Sequence, residues 1–174
     1  MAVKKTTETK AKTTKSKVSV EIVPKKSILF VASEANPFAG TGGLADVIGS
    51  LPKALAKNAN YDVRVAIPLY ASVDYAWRER FTFVGNFNVP LAWRNQYCGV
   101  YSYKYEGVRF YFIDNEYYFK REGNIYGFYD DGERFAFFSR ACLDTIARLD
   151  IYPDVLHCND WQTALIPVYL KLFY

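Results

Sequence analysis

A chain of 174 residues, 51% hydrophobic and 23% charged, is long enough to bury one sizeable core. Its net charge of +4 belongs to the first 26 residues, which hold eight lysines and two glutamates; residues 27–174 are net −2, so nucleic-acid binding by a folded part has no electrostatic support. No apolar run approaches the roughly 18 residues of a membrane span, and three scattered cysteines with a single histidine form neither a disulfide framework nor a Cys/His metal set.

The opening stretch, MAVKKTTETKAKTTKSKVSVEIVPKK, lacks apolar periodicity and reads as a disordered, solvated tail over residues 1–26, ahead of one domain over 27–174. It has no secretory apolar core. A plastid transit peptide would favour Arg and Ser, and this segment has no Arg and two Ser, so a cytoplasmic protein is expected, with a plastid as the alternative. Cys98, Cys142 and Cys158 are expected to be reduced core thiols.

Ile28 to Ala32 is a short apolar run that reads as a buried strand. Asn36-Pro37 and Gly40-Thr41-Gly42-Gly43 then mark a turn. From there Leu44, Val47, Ile48, Leu51 and Leu55 recur at helical spacing, predicting a helix over about 44–57. Val63 to Ile67 predicts a second parallel strand, ended by Pro68. Residues 71–80 read as a short helix or loop. Phe81–Val84, Phe87–Val89, Tyr97–Tyr105 and Val108–Ile113 are aromatic and alternating, with a turn at Glu106-Gly107, and predict strands and a hairpin.

Residues 114–131 form a tyrosine-rich polar loop, suited to covering a sheet edge and also to stacking on sugars. A helix from Asp131 follows, with Phe135, Phe138, Ala141, Cys142 and Ile146 on one face. Pro153 to His157 predicts a third parallel strand. Asp160 or Asn159 is expected to cap a last helix carrying Leu165, Val168, Tyr169 and Leu172. The fold class expected is α/β: a Rossmann-like three-layer domain with a parallel sheet and an aromatic β-hairpin insertion. Three clear parallel strands look unfinished, which suggests part of a longer enzyme.

A strand, a glycine turn and a helix make the first half of a βαβ unit, and in open α/β sheets ligands sit at that turn. Bare glycines let a ligand approach the backbone, while the first helical turn offers unpaired N–H groups. Close helix–strand packing alone would also explain Gly40, Gly42 and Gly43. A dinucleotide site fits poorly. Seven residues separate the strand from Gly40, and the region from Asp62 to Tyr70 has Arg64 and no acid at the strand end.

Five stretches, taken together and in order, resemble bacterial glycogen synthase and plant starch synthase: ILFVASEANPFAGTGGLADVIGSLPKAL, VRVAIPLY, VRFYFIDNEYYFKREGNIYG, YDDGERFAFFSRACLDTI and PDVLHCNDWQTALIPVYL. The resemblance implies the GT-B fold, in which two Rossmann-like domains face each other across a cleft. It implies transfer of glucose from ADP-glucose to the non-reducing end of an α-1,4-glucan with retention at the anomeric carbon. ADP-glucose enters as the donor substrate, and no cofactor or metal is implied. This chain would be most of the N-terminal, acceptor-side domain, the incomplete half of the fold, working against a C-terminal Rossmann-like domain that is not in this sequence.

By that resemblance Asp46 and Asp160 are the catalytic carboxylates near the sugars. Gly42 and Gly43, with Gly40 at the position of the family's lysine, line the donor. Glu34, Tyr126 and Trp161 contact glucan or sugar. Carboxylates accept paired hydroxyl hydrogen bonds, and rings cover the apolar face of a pyranose. Read as residues alone, Asp46 would favour the helix dipole, Asp160 would be an N-cap, Trp161 a core residue and His157 a structural one. The chain departs from the family pattern twice, with Gly40 for a lysine and Gln162 for a histidine. Neither replacement can carry charge. A glucan-binding homologue without catalysis is therefore a second reading, and nucleic-acid binding through the Lys-rich tail a third.

Overall fold

The computed structural model describes residues 24–174. The expected tail falls outside them except for its last three residues, and the first strand begins one residue inside it, at Lys26. Six strands form one sheet: β1 (Lys26–Val31), β2 (Tyr61–Pro68), β3 (Thr82–Leu91), β4 (Arg94–Tyr105), β5 (Val108–Asp114) and β6 (Val155–Cys158), in the order β3-β4-β5-β2-β1-β6. The helices are α1 (Gly43–Ala56), α2 (Tyr75–Arg78), α3 (Glu116–Phe119), α4 (Asp131–Arg148) and α5 (Leu165–Phe173), with a 3-10 turn at Trp161–Thr163.

β1, β2, β5 and β6 are mutually parallel, which makes four parallel strands where the sequence showed three. β5 is the one misread. It leaves β4 through the two-residue turn Glu106-Gly107, both residues with positive φ (46° and 85°), and so looks like half of an isolated hairpin. Positive φ at both central residues is the twist that suits a two-residue hairpin. The other edge of β5 pairs with β2, from Arg64↔Arg109 to Pro68↔Ile113, and this strand welds the antiparallel β3–β4 extension to the parallel sheet.

Topology dictates the layers. The β1–α1–β2 crossover moves toward β5, whereas β5–α4–β6 moves back past β2 and β1. Right-handed crossovers, the near-universal sense for such units, put α1 and α4 on opposite faces. The core is continuous through Phe30, Val65, Ile67, Phe110 and Phe112 of the sheet, Ile48 of α1 and Phe137 and Phe138 of α4, all at most 1% exposed. Cys98 and Cys142 are buried and Cys158 half-buried, all as free thiols.

Phe38, just after a cis Asn36-Pro37 bond, is 3% exposed. It sits edge-on against Trp77, Phe81, Tyr103, Tyr105, Phe110 and Phe112, with ring centroids 4.9–6.4 Å away. At the far side of the sheet, β6 is an edge strand, and α5 leaves Val168, Leu170, Leu172 and Phe173 exposed. Among the described residues no helix is long and apolar enough to cross a membrane.

Candidate functional site

The chain moves outward from β1 to β2 and β5, then returns to the other side of β1 as β6. The strand order therefore reverses between β1 and β6, and beyond their C-terminal ends lies the crevice where open α/β sheets bind ligands. β1 delivers Ser33 and Glu34 to that edge, and β6 delivers Asn159, Asp160 and Trp161. α1, entered from β1, presents its N-terminus to the same edge.

Glu34 is only 4% exposed and has no ion-pair partner among the described residues. A buried carboxylate of this kind needs hydrogen bonds, since an unpaired one is strongly disfavoured. It accepts from the Thr41 backbone N–H, from Thr41 Oγ1 at 3.2 Å and from the Tyr126 hydroxyl at 2.5 Å. Tyr126 has one hydroxyl proton and gives it to Glu34, so the 2.6 Å contact with Ser33 Oγ is a bond that Ser33 donates. Burial first, then the bond to Glu34, pushes the Tyr126 phenol far above the ordinary tyrosine value, and the charge of Asp160 adds to this. Glu34 thus ties the glycine turn, through Thr41, to the aromatic loop.

That loop has its own framework. Arg134, 1% exposed on the first turn of α4, donates to Tyr118 O at 2.8 Å, Ile125 O at 3.1 Å and Asp131 Oδ1 at 2.5 Å. Asp131 Oδ2 accepts from Gly127 N at 2.8 Å, and Arg121 grips Asp130 with two bonds of 2.6 and 2.7 Å. Tyr118, Phe119 and Ile125 are buried. The loop is pinned at both ends of Tyr126, and the ring of Tyr126 packs 5.9 Å from Phe135.

Gly42 caps α1 with no side chain to occupy the helix end, and a Cβ on either Gly42 or Gly43 would meet nothing within 4 Å. Both are exposed, so the first N–H groups and the positive dipole end face open space. Gly40 differs. A Cβ there would lie 2.4 Å from Ala45 Cβ and 2.8 Å from Asn36 Oδ1, so this backbone admits only glycine at the lysine position of the family pattern. Asp46, exposed in the first turn of α1, takes a 2.7 Å bond from Asn36 Nδ2.

Asp160 accepts from Trp161 N at 2.7 Å and caps the 3-10 turn, while α5 starts later, at Leu165. Its φ of 64° and ψ of 179° fall in a region that is nearly glycine-only, which costs about 1–3 kcal/mol and is typical of functional sites. Trp161 is no core residue: it is 52% exposed, its ring edge-on to Phe135 at 5.2 Å. Gln162, next in the chain, is buried, and its Oε1 has no hydrogen-bond partner among the described residues. His157 packs against Phe30 with ring centroids 4.6 Å apart and planes tilted by 34°, in register with it across β1 and β6.

The structure therefore brings Glu34, Tyr126, Asp160 and Trp161 into one connected group and sets Gly42, Gly43 and Asp46 beside it through Thr41. The site is an open edge. Hollows of about 440 and 600 Å³ lie elsewhere, beside Tyr97 and beside Lys53. Sequence reasoning missed Ser33, Thr41, Asn36 and Arg134. For Arg134 the Asp131-Gly-Glu-Arg helix start was a signal, but it spoke of capping only; Asn36 and Thr41 stood in turn signals that say nothing of their side-chain bonds, and Ser33 carries none.

Comparison with known proteins points to one family. The starch synthase catalytic domain family matches residues 27–174. A glycogen synthase of Clostridium botulinum strain Eklund 17B is 58% identical over 147 residues, 84% of this chain and 30% of that protein. One from Desulforamulus reducens is 54% identical over 147 residues, with the same two shares. The solved catalytic domain of Starch Synthase IV from Arabidopsis thaliana, bound to ADP and acarbose, has a TM-score of 0.75 at 30% identity, covering 87% of this chain and 31% of that one. The chain thus spans about 30% of the length of these curated relatives, and its mixed sheet matches one half of a GT-B glycosyltransferase. With the match running through every element of the described sheet, the chain belongs to the starch synthase catalytic domain family.

Proposed function

We propose that residues 27–174 are the acceptor-side part of a glucosyltransferase that moves glucose from ADP-glucose to the non-reducing end of an α-1,4-glucan. Residues 1–26 are a Lys-rich extension of it. The observation that carries this is the bare N-terminus of α1 at the strand-order reversal, flanked by Asp46 and by the buried Glu34–Thr41 tie. Open N–H groups with a positive dipole suit the negative charge that grows on a departing diphosphate. Asp46 and Asp160 offer carboxylates to sugar hydroxyls, and Trp161 offers a half-exposed ring to a pyranose face. Tyr126 and Glu34 shape the floor.

The free edge of β6 and the exposed apolar side chains of α5 are surfaces that proteins normally cover. Further polypeptide, corresponding to the remaining length of the relatives and including a second Rossmann-like domain, covers them and completes the cleft. A cytoplasmic setting fits, with a plastid as the alternative. The blocked space at Gly40 and the uncharged Gln162 favour, as a second reading, a homologue that holds glucan without transferring glucose.

The test is incorporation of glucose from labelled ADP-glucose into glycogen by the complete protein, beside glycogen co-sedimentation. Transfer that is lost in Asp46→Asn and Asp160→Asn supports catalysis. Retention on glycogen without transfer supports the second reading. Neither transfer nor retention, at saturating donor, sinks both.

A further inference from the structure

Asn36 precedes the glycine turn, and its signal in the sequence, Asn36-Pro37, is that of a turn only. Its backbone N–H donates to Ala45 O at 3.0 Å, bridging the turn to the first turn of α1. On one side it lies against Gly49, where a Cβ would come within 2.9 Å of both Asn36 Cβ and Asn36 O. On the other its Oδ1 occupies the space that any side chain at residue 40 would need, 2.8 Å from where a Cβ would stand. Two glycines thus leave a slot for this one residue. The slot aims Nδ2 at Asp46, 2.7 Å from Oδ1.

We infer that Asn36 is a positioning residue for Asp46. It holds one carboxylate oxygen with a neutral donor and leaves the other free for a ligand at the open end of α1. Because the amide is uncharged, it fixes the orientation of the carboxylate without neutralising it, as a lysine or arginine would. The bond is exposed to solvent and adds little to stability; its consequence is geometric. This rests on the reading of Asp46 as a group that touches substrate.

The experiment uses the complete protein and compares Asn36→Leu, Asp46→Asn and the double variant in the ADP-glucose transfer assay. Asn36→Leu keeps the branched shape that fills the slot and removes the donor without adding a charge beside Asp46. The expected result is a fall in kcat of about 10- to 100-fold, the scale of a misplaced catalytic group, with the donor KM and the melting temperature nearly unchanged. The double variant should be no slower than Asp46→Asn, because Asn36 acts only through that carboxylate. A merely space-filling Asn36 would give wild-type kcat in Asn36→Leu, and an independent role would make the double variant multiplicatively slower; either overturns the inference while the function stands. A fully active Asp46→Asn, or a wild-type protein without transfer, removes the underlying reading as well.

Discussion

Replacing Tyr126 with Phe deletes one oxygen and leaves the ring packed on Phe135. Two buried groups lose a partner at once: Glu34 its 2.5 Å donor and Ser33 the acceptor at 2.6 Å, at 4% and 0% exposure. Glu34 keeps its bonds from Thr41, so the carboxylate is not stripped bare. Leaving a buried polar group unsatisfied costs about 1–3 kcal/mol, and the shared nature of this bond places the sum near 2 kcal/mol. For a domain of this size each kcal/mol lowers the melting temperature by roughly 2–4 °C, so Tyr126→Phe should melt about 4–8 °C lower. Thermal denaturation followed by near-ultraviolet circular dichroism reads this directly. Glu34→Gln is the companion variant: its single amide oxygen can accept from Tyr126 or from the Thr41 N–H but not from both, so a comparable loss is expected. A Tyr126→Phe protein that melts within a degree of the parent would refute the idea that this phenol joins the glycine turn to the aromatic loop.

Gly40→Ala should destabilise by about 1–3 kcal/mol, since its Cβ overlaps Ala45; Gly43→Ala, with open space around it, should leave the urea midpoint unchanged while weakening ADP-glucose binding in a calorimetric titration. Arg134→Met leaves Asp131 and the carbonyls of Tyr118 and Ile125 without their donor, and a loss of about 3 kcal/mol with faster proteolysis between residues 120 and 130 is expected. Burial is the largest cause holding the phenols of Tyr70, Tyr118 and Tyr126 above the ordinary tyrosine value. Such groups contribute their stability fully below about pH 10, where the unfolded chain still keeps its protons, and lose it as pH rises toward the folded values. Denaturation midpoints should therefore be level to about pH 9.5 and fall beyond it, less steeply in Tyr126→Phe; a level midpoint to about pH 11 would contradict this.

The sheet and its two long helices were legible because their signals are local. Apolar runs at Ile28–Ala32 and Val63–Ile67 and the 3.6-residue spacing from Leu44 and from Phe135 each report burial on one segment. α1 comes out within a residue of expectation at both ends, and α4 starts where expected, at Asp131. β5 was half-legible: its aromatic alternation announced a strand, but its parallel partner β2 is some 45 positions away and leaves no local trace. The site was legible as a set of residue types through resemblance, and as a turn through its glycines. Its wiring was not. Glu34 and Tyr126 lie 92 positions apart, and only the packing of the β1 end against the loop makes them partners. Asp131 reads as a helix start, and its hold on Gly127 N depends on a loop that doubles back. Asp160 was readable as a cap, which it is; its backbone conformation was not.

Phe38 gives the antiparallel extension a purpose beyond lengthening the sheet. A single ring, inserted two residues before Gly40, is the anchor by which the mouth of the molecule is bolted to rings drawn from α2, β4 and β5 and from Phe81, just ahead of β3. Grafting a foreign hairpin in place of residues 82–105 would loosen that anchorage and let the turn drift, even though no grafted atom came near a sugar.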